Sequence, residues 1–182
     1  MGRLSHDFYV QPMNKVYNEA IAMYLIWTVL MILLRGRARK AVGIIGAVLS
    51  VVLVVSFTIH GRNSKAETNI SLAPFISFVK AKTQPEFYRS MFMNMLLFLP
   101  LGLSLPFALS KTEKHCVLIS IASGFLLSAG VEVVQYFFSL GCCETDDVIM
   151  NTLGVIIGST SFLLCVMADM LFEAVNTKSP CR

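Results

Sequence analysis

The side chains best suited to chemistry are carboxylates and amides that stand at helical spacing inside apolar runs of the chain. Glu132 and Gln135 lie three residues apart, and Asp147 and Asn151 lie four apart, so each pair shares one helical face. Asn94 holds a similar position in a third apolar run. A carboxylate well inside a membrane span costs roughly 3 kcal/mol. Glu132 is therefore expected to be neutral because of desolvation, or to face a wet cavity or a cation. The positions of these carboxylates and amides predict a polar pocket shared by three helices.

A purely structural interpretation of Glu132 stays open beside the pocket. The carboxyl group would then be protonated and hydrogen-bonded across helices to Asn151 or Asn94, although such bonds average only about 0.6 kcal/mol in membranes. Asp147 also fits the N-cap of the helix that follows it, and Asp146 taken alone is best interpreted as a solvated loop charge. The candidate pocket residues are Asn94, Glu132, Gln135, Asp146, Asp147 and Asn151.

No metal and no cofactor is expected from the sequence. Glu144, Asp146 and Asp147 offer oxygen atoms to a hard cation such as Mg²⁺ or Ca²⁺, but they fall short of a complete coordination shell. The five cysteines form no Cys-x-x-Cys pair, and no histidine stands at metal-ligand spacing, which argues against zinc. The phosphate-binding loop, the dinucleotide fingerprint and the Gly-x-Ser-x-Gly motif are absent from the sequence.

The elements that must position these side chains are membrane-spanning helices. The 182 residues include 15 basic and 11 acidic side chains, 14% of the chain, whereas soluble domains carry about 25%. Five long runs contain no charged side chain, and about 20 apolar residues are enough to span a bilayer. This composition excludes a soluble globule, a disordered tail and a secreted disulfide scaffold. The sequence predicts an all-α polytopic membrane bundle of five transmembrane helices, at about 16–34, 41–59, 91–109, 116–138 and 148–172.

The distribution of charge predicts the orientation of the bundle. Residues 35–40 contain four basic side chains, whereas residues 144–147 contain three acidic ones and no basic one. Short loops rich in Lys and Arg stay in the cytoplasm, which predicts an external N-terminus, after an interfacial tail at residues 1–15, and a cytoplasmic C-terminus. The loop at residues 60–90 is also basic, but long loops can be translocated across the membrane largely regardless of their charge. Because the basic residues lie in loops without interleaved aromatic residues, no nucleic-acid partner is expected.

Small residues predict which spans touch. Gly124 and Ser128 lie four apart in the fourth span, and Gly154 and Gly158 lie four apart in the fifth. Small residues at this spacing let helix backbones approach closely, so the fourth and fifth spans are expected to touch along all four. The third span contains two prolines, which favours a buried, bent helix.

Four motifs in order make the chain resemble the VanZ-like family over about residues 69–165. They are Asn69-Ile-Ser-Leu-Ala-Pro-Phe75; Asn94-Met-Leu-Leu-Phe-Leu-Pro-Leu-Gly102 followed by Leu105-Pro106; Glu132-x-x-Gln135; and Asp146-Asp147-x-x-x-Asn151-Thr-x-Gly154-x-x-x-Gly158. The first span falls outside these motifs, as an addition to a four-helix core. The chain departs from the family pattern at Gly141-Cys142-Cys143, where relatives often carry an Arg.

The resemblance implies a bacterial cell membrane and an envelope role linked to lowered susceptibility to teicoplanin, but it implies no reaction. We expect an accessory protein with an outward-facing polar pocket that engages a membrane lipid, a cell-wall precursor or a lipoglycopeptide, and we allow for a homo-oligomer. An intramembrane enzyme with Glu132 and Asp147 as acid and base is the alternative, and a proton-coupled transporter is disfavoured because no internal repeat is present. We divide the chain into residues 1–40, a VanZ-like transmembrane core at 41–172, and a cytoplasmic tail at 173–182.

Overall fold

The described chain consists of helices and one pair of short strands. The computed structural model describes residues 2–59, 70–84, 86–109, 112–140 and 143–177, with side chains described only within residues 15–176. Asn69, Cys142, Cys181, Arg62 and Lys65 lie outside these ranges. The elements are α1 (Gly2–Leu33), α2 (Gly36–Ile59), β1 (Ile70–Ser71), α3 (Ile76–Ala81), α4 (Glu86–Ala108), α5 (Glu113–Phe137), β2 (Cys143–Glu144) and α6 (Thr145–Thr177).

The all-α membrane bundle predicted from the sequence is confirmed. Five of the described helices, namely α1, α2, α4, α5 and α6, are long and apolar enough to cross a membrane. Their bounds extend beyond the apolar runs, since α4 begins at Glu86 and α6 begins at Thr145. The charged residues at these ends continue the helix instead of marking its limit. Likewise, the backbone is helical from Gly2, where the sequence predicted a tail.

The closest helix contact in the bundle joins α4 to α6. A methyl group built on Gly154 would lie 2.1 Å from the Met95 carbonyl oxygen, and one built on Gly102 would lie 2.2 Å from the Val155 carbonyl oxygen. Gly158 approaches the Leu99 carbonyl oxygen in the same way, at 2.5 Å. Because no side chain fits between the two backbones here, glycine permits this approach.

The predicted contact between the fourth and fifth spans divides between two partners. Gly124 of α5 faces the Val155 side chain, and the Asn151 side-chain amide donates a 2.8 Å hydrogen bond to the Ser128 hydroxyl. Gly124 and Ser128 of α5 therefore do contact α6. The expectation is wrong for Gly154 and Gly158, which face α4. Spacing identifies a small face on a helix, but it does not identify the helix that packs on it.

The proline-containing helix α4 lies at the centre of the bundle. It packs against α6, α2, α5, α3 and α1, and Pro106 and Phe98 on it are fully buried. Trp27 of α1 donates a 2.8 Å hydrogen bond to the Leu103 carbonyl, in the turn that precedes Pro106. The buried position expected for this span is therefore observed, and a neighbouring helix satisfies a backbone acceptor near the proline.

An ion pair joins the start of α2 to the C-terminal part of α6. The Arg39 guanidinium bonds both oxygens of Asp169, and its Nε donates a 2.7 Å hydrogen bond to the Leu34 carbonyl after the end of α1. The Arg35 guanidinium lies 4.2 Å from the centroid of the Phe172 ring. We call this side of the bundle, with Arg35, Arg39 and Asp169, the basic end.

Gly154→Ala is expected to destabilise the bundle, because its methyl group would overlap the Met95 backbone and force α4 and α6 apart. Overpacking of this kind costs about 1–3 kcal/mol. The measurement is the melting temperature of the purified protein in detergent.

Gly130→Ala is the matched control, since nothing lies within 4 Å of a methyl group at that position on α5. It should leave the melting temperature unchanged or raise it slightly, because alanine favours the helix. Equal melting temperatures for the two variants would contradict the close contact between α4 and α6.

Candidate functional site

A short parallel strand pair joins two distant segments at the end of the bundle opposite the basic end. Ile70 pairs with Cys143 and Ser71 pairs with Glu144, so β1, between α2 and α3, lies beside β2, between α5 and α6. The Thr145 hydroxyl adds a 3.2 Å hydrogen bond to the Leu72 carbonyl. The pairing brings the start of α6 against residues 70–77, a region that the sequence analysis treats as loop.

The Asp146 carboxylate holds this arrangement together. It is 3% exposed, and its two oxygens accept hydrogen bonds from the backbone N–H groups of Phe75 and Ser77, the latter at 2.7 Å. These N–H groups lie at the start of α3, where a helix has free donors and favours negative charge. The interpretation of Asp146 as a solvated loop charge is therefore wrong. Phe75 takes a positive φ of 67°, which is rare for a bulky residue and is held by this contact.

Asp146→Asn should loosen residues 70–81. The amide nitrogen of Asn cannot accept a hydrogen bond, so a backbone N–H of Phe75 or Ser77 loses its partner, at a cost of about 1–3 kcal/mol. Hydrogen–deuterium exchange of peptides covering residues 70–81 should speed up, and the melting temperature should fall.

Thr145→Val is the matched control for this substitution. It removes the exposed hydrogen bond to the Leu72 carbonyl, beside the strand pair. Because water replaces the lost partner, exchange and melting temperature should change much less. Exchange that is equally fast in both variants would show that Asp146 has no special role.

Glu132 supports the same strand pair from α5. Its side chain is 4% exposed, and its Oε2 accepts a 3.0 Å hydrogen bond from the backbone N–H of Glu144. The Ser77 hydroxyl donates a 3.3 Å hydrogen bond to the Glu144 carboxylate. The buried carboxyl group of Glu132 thus fixes the position of Glu144, which itself faces a cavity.

The cavity lies between α3, α4 and the start of α6, and its volume is about 320 Å³. We call it the acidic cavity, because three carboxylates contribute to its lining. The Lys80 ammonium lies above one of its lining residues, 5.3 Å from the ring centroid of Phe87. Such a lining suits a ligand group that donates hydrogen bonds or carries positive charge and also presents apolar surface. The lining residues are Ser77, Glu86, Phe87, Ser90, Met91, Glu144 and Asp147.

Asp147 is the residue among the predicted candidates that lines the acidic cavity. Its alternative role as an N-cap is wrong, because α6 begins two residues earlier, at Thr145. Asp146 and Glu132 hold the elements that form the cavity wall. Within the described part of the chain, no group of three or more His, Cys, Asp or Glu residues is arranged to hold a metal ion.

The three predicted amides take up other positions. Gln135 donates a 3.2 Å hydrogen bond to the Thr58 carbonyl of α2, and Asn151 bonds Ser128 of α5, so both join helices. The side-chain carbonyl oxygens of Gln135 and Asn151 are buried without a hydrogen-bond partner among the described residues. Asn94 lines a separate, mostly apolar cavity beside Phe57 of α2. A single site that unites all the candidate residues stays a prediction.

Most residues of the cavity lining were not predicted from the sequence. Ser77 and Glu86 stand close to prolines in a segment interpreted as a long loop, and Phe87 and Met91 read as ordinary apolar residues. The available signal was the Ala-Pro-Phe sequence at residues 73–75, which marks a turn next to the cavity. Its partner, Asp146, is far away in the sequence, so spacing alone does not connect the two.

The pKa of the Cys143 thiol is raised by its partial burial and by the negative charge of this region. Partial burial raises the pKa of Cys143 above its ordinary value, and the negative charges of Glu132 and Asp147 raise it further. A raised pKa means that less thiolate is present at a given pH, and the thiolate is the reactive form.

The alkylation rate of Cys143 should therefore rise at a higher pH than the alkylation rate of an ordinary thiol does. In a variant whose other four cysteines are replaced by alanine, Glu132→Gln removes one negative charge and should shift the midpoint of the pH profile towards acid. Mass spectrometry of iodoacetamide-treated protein measures the rate. Glu113→Gln, at the far end of α5, is the control and should leave the midpoint unchanged. A midpoint that Glu132→Gln does not move would contradict the assigned cause.

Comparison with known proteins identifies similar chains. The family model described as VanZ/LLP1 matches residues 21–167. Protein VanZ of Enterococcus faecium is 26% identical over 147 residues, which cover 80% of this chain and 73% of that protein. No solved structure matches the chain. The matched region begins inside α1, so it includes most of the first span, which the motifs alone place outside the resemblance; the domain boundaries at residues 40 and 172 stay a prediction.

Proposed function

We propose a function from one established premise: the chain belongs to the VanZ/LLP1 family. It is a multi-pass membrane protein of a family associated with resistance to the glycopeptide teicoplanin. The proposed role is that of a bacterial cell-envelope accessory protein. Its acidic cavity faces outward and engages the polar part of a membrane amphiphile, which is a lipid, a cell-wall precursor or a lipoglycopeptide.

The observation that carries this proposal is the mixed lining of the acidic cavity. Glu86, Glu144 and Asp147 supply carboxylates, and Phe87 and Met91 supply apolar surface beside them. A ligand with ammonium, amide or hydroxyl donors next to an apolar portion matches both parts. A volume of about 320 Å³ is at the lower end of the range for small-molecule sites, about 300–1,000 Å³. The cavity therefore fits one polar group of a larger amphiphile.

The position of the cavity supports contact with the polar surface of the membrane. It is lined by the first turns of α4 and α6, where charged residues precede the membrane-spanning runs. A ligand anchored in the bilayer by a lipid tail would present its polar group at this level. The carboxylates would then act on a group that the membrane holds nearby.

We also propose that the acidic cavity faces the outside of the cell and the basic end faces the cytoplasm. Arg35 lies between α1 and α2, and Arg37, Arg39 and Lys40 lie in the first turns of α2; short basic segments of this kind stay inside. The first turn of α6, at the other end, is acidic. With five spans, the start of α1 would then lie outside and the end of α6 inside.

Cysteine labelling in intact cells tests this orientation. On a background without native cysteines, a membrane-impermeant maleimide should label a cysteine introduced at Thr145 and should spare one introduced at Arg37. The detergent-solubilised protein, in which both positions become accessible, is the control. Labelling of the Arg37 position alone in intact cells would reverse the orientation.

Asp147→Asn and Glu86→Gln should weaken binding of teicoplanin or of a lipid-linked cell-wall precursor. A hydrogen bond to a charged group contributes about 1.5–3 kcal/mol, so each substitution should weaken the Kd about tenfold or more. Binding is measured with the full-length protein in nanodiscs, and teicoplanin susceptibility is measured in cells that express each variant. Both binding and protection should fall.

Glu113→Gln is the matched control, because it removes the same charge at the opposite end of the bundle. Glu132→Gln adds a second comparison: its side-chain oxygen can still accept the Glu144 N–H bond, so a purely structural role predicts no change in protection. A role in the site predicts lost protection at normal protein levels. Wild-type affinity and protection in the Asp147 and Glu86 variants would contradict the proposal.

A further inference from the structure

A patch of exposed apolar side chains surrounds α3, at the cavity end of the bundle. Leu72 and Val79 are 72% and 66% exposed, and Phe75 and Phe78 are also exposed. The two phenylalanine rings lie 5.9 Å apart, centroid to centroid, so the apolar surface is continuous there. We call Leu72, Phe75, Phe78 and Val79 the α3 patch. A cluster of large apolar side chains that faces away from the protein marks an interaction surface.

The helix itself has two distinct faces. Ser77 and Ala81, four residues apart, are buried against the bundle. Phe78 and Val79 are exposed, and so are Lys80 and Lys82 at the end of the helix, where the Lys80 ammonium lies over the Phe87 ring of α4. Arg89, in the first turns of α4, is exposed as well. The outward surface of this segment is thus apolar and basic at once.

We propose that the α3 patch lies in the bilayer interface and that Lys80, Lys82 and Arg89 bind the phosphate groups of anionic phospholipids. The aromatic and aliphatic side chains would enter the boundary between head groups and acyl chains, which is where such amphipathic segments settle. Basic side chains beside them are attracted by an anionic lipid surface, and zwitterionic lipid lacks that attraction. Charge therefore selects anionic phospholipid as the occupant.

The position of the segment is fixed before it meets lipid. Asp146 holds the backbone of Phe75 and Ser77, and the strand pair holds residues 70–71. Because the surface is preformed, lipid binding does not require the segment to fold, which lowers its entropic cost. Lys80, Lys82 and Arg89, which lie at the end opposite the Arg-rich link, would then serve a lipid surface.

The test places a tryptophan in the patch of the full-length protein. Phe78→Trp is compared with the parent, whose single tryptophan, Trp27, supplies the background to subtract. Both proteins are reconstituted in mixed vesicles of phosphatidylcholine and phosphatidylglycerol, in which either the phosphatidylcholine or the phosphatidylglycerol carries bromine atoms near the head-group end of the acyl chains. Bromine quenches tryptophan that lies at its depth. The added tryptophan should be quenched in both, and roughly threefold more strongly when the phosphatidylglycerol is brominated.

Lys80→Gln/Lys82→Gln should remove the extra quenching that brominated phosphatidylglycerol produces. Arg37→Gln/Lys114→Gln is the matched control, because it removes two exposed basic side chains at the other end of the bundle and should leave that quenching unchanged. Emission that brominated lipid does not quench would place the patch in water and overturn the proposal. Quenching that is independent of which lipid is brominated and of both lysines would overturn the anionic selectivity. Quenching that weakens as protein density rises would assign the patch to a second copy instead.

Discussion

The near-contact of the α4 and α6 backbones determines where the acidic cavity lies. Lipid tails are as apolar as leucine, so helices in a bilayer associate through close packing and hydrogen bonds and gain little from the hydrophobic effect. Gly102, Gly154 and Gly158 allow that packing at its closest. The two helices run in the same direction, because each begins at the cavity end. Their first turns therefore lie side by side, and Glu86 and Asp147 line one cavity.

Two adjacent carboxylates at the start of α6 have different surroundings. Consecutive residues on a helix point about 100° apart, so Asp146 and Asp147 face different surroundings. Asp146 is buried against the backbone of α3, and its charge is satisfied by N–H groups. Asp147 is half-buried and lines the acidic cavity. One carboxylate anchors the backbone at the start of α3, beside the cavity, and the next one lines the cavity itself.

Sequence reasoning succeeds where a property is local. Five spans follow from the length of the apolar runs, because the bilayer requires each crossing helix to satisfy its own backbone. The strand pair escaped prediction because it joins Ile70 to Cys143, which are distant in the sequence and share no periodic pattern. The partner of Gly154 and Gly158 escaped it for the same reason. Asp146 was misinterpreted because its hydrogen-bond donors are backbone N–H groups, which the sequence does not display.

The central contact also has a consequence for biogenesis. Spans enter the membrane in order from the N-terminus, and α4 is inserted before α6 has been synthesised. Until then Gly102 lacks its partner, and β1 has no strand to pair with. Contacts this far apart in the sequence form late, because the intervening chain must first be ordered. The acidic cavity thus cannot form until the start of α6 has been synthesised, and a chain truncated before α6 would lack it.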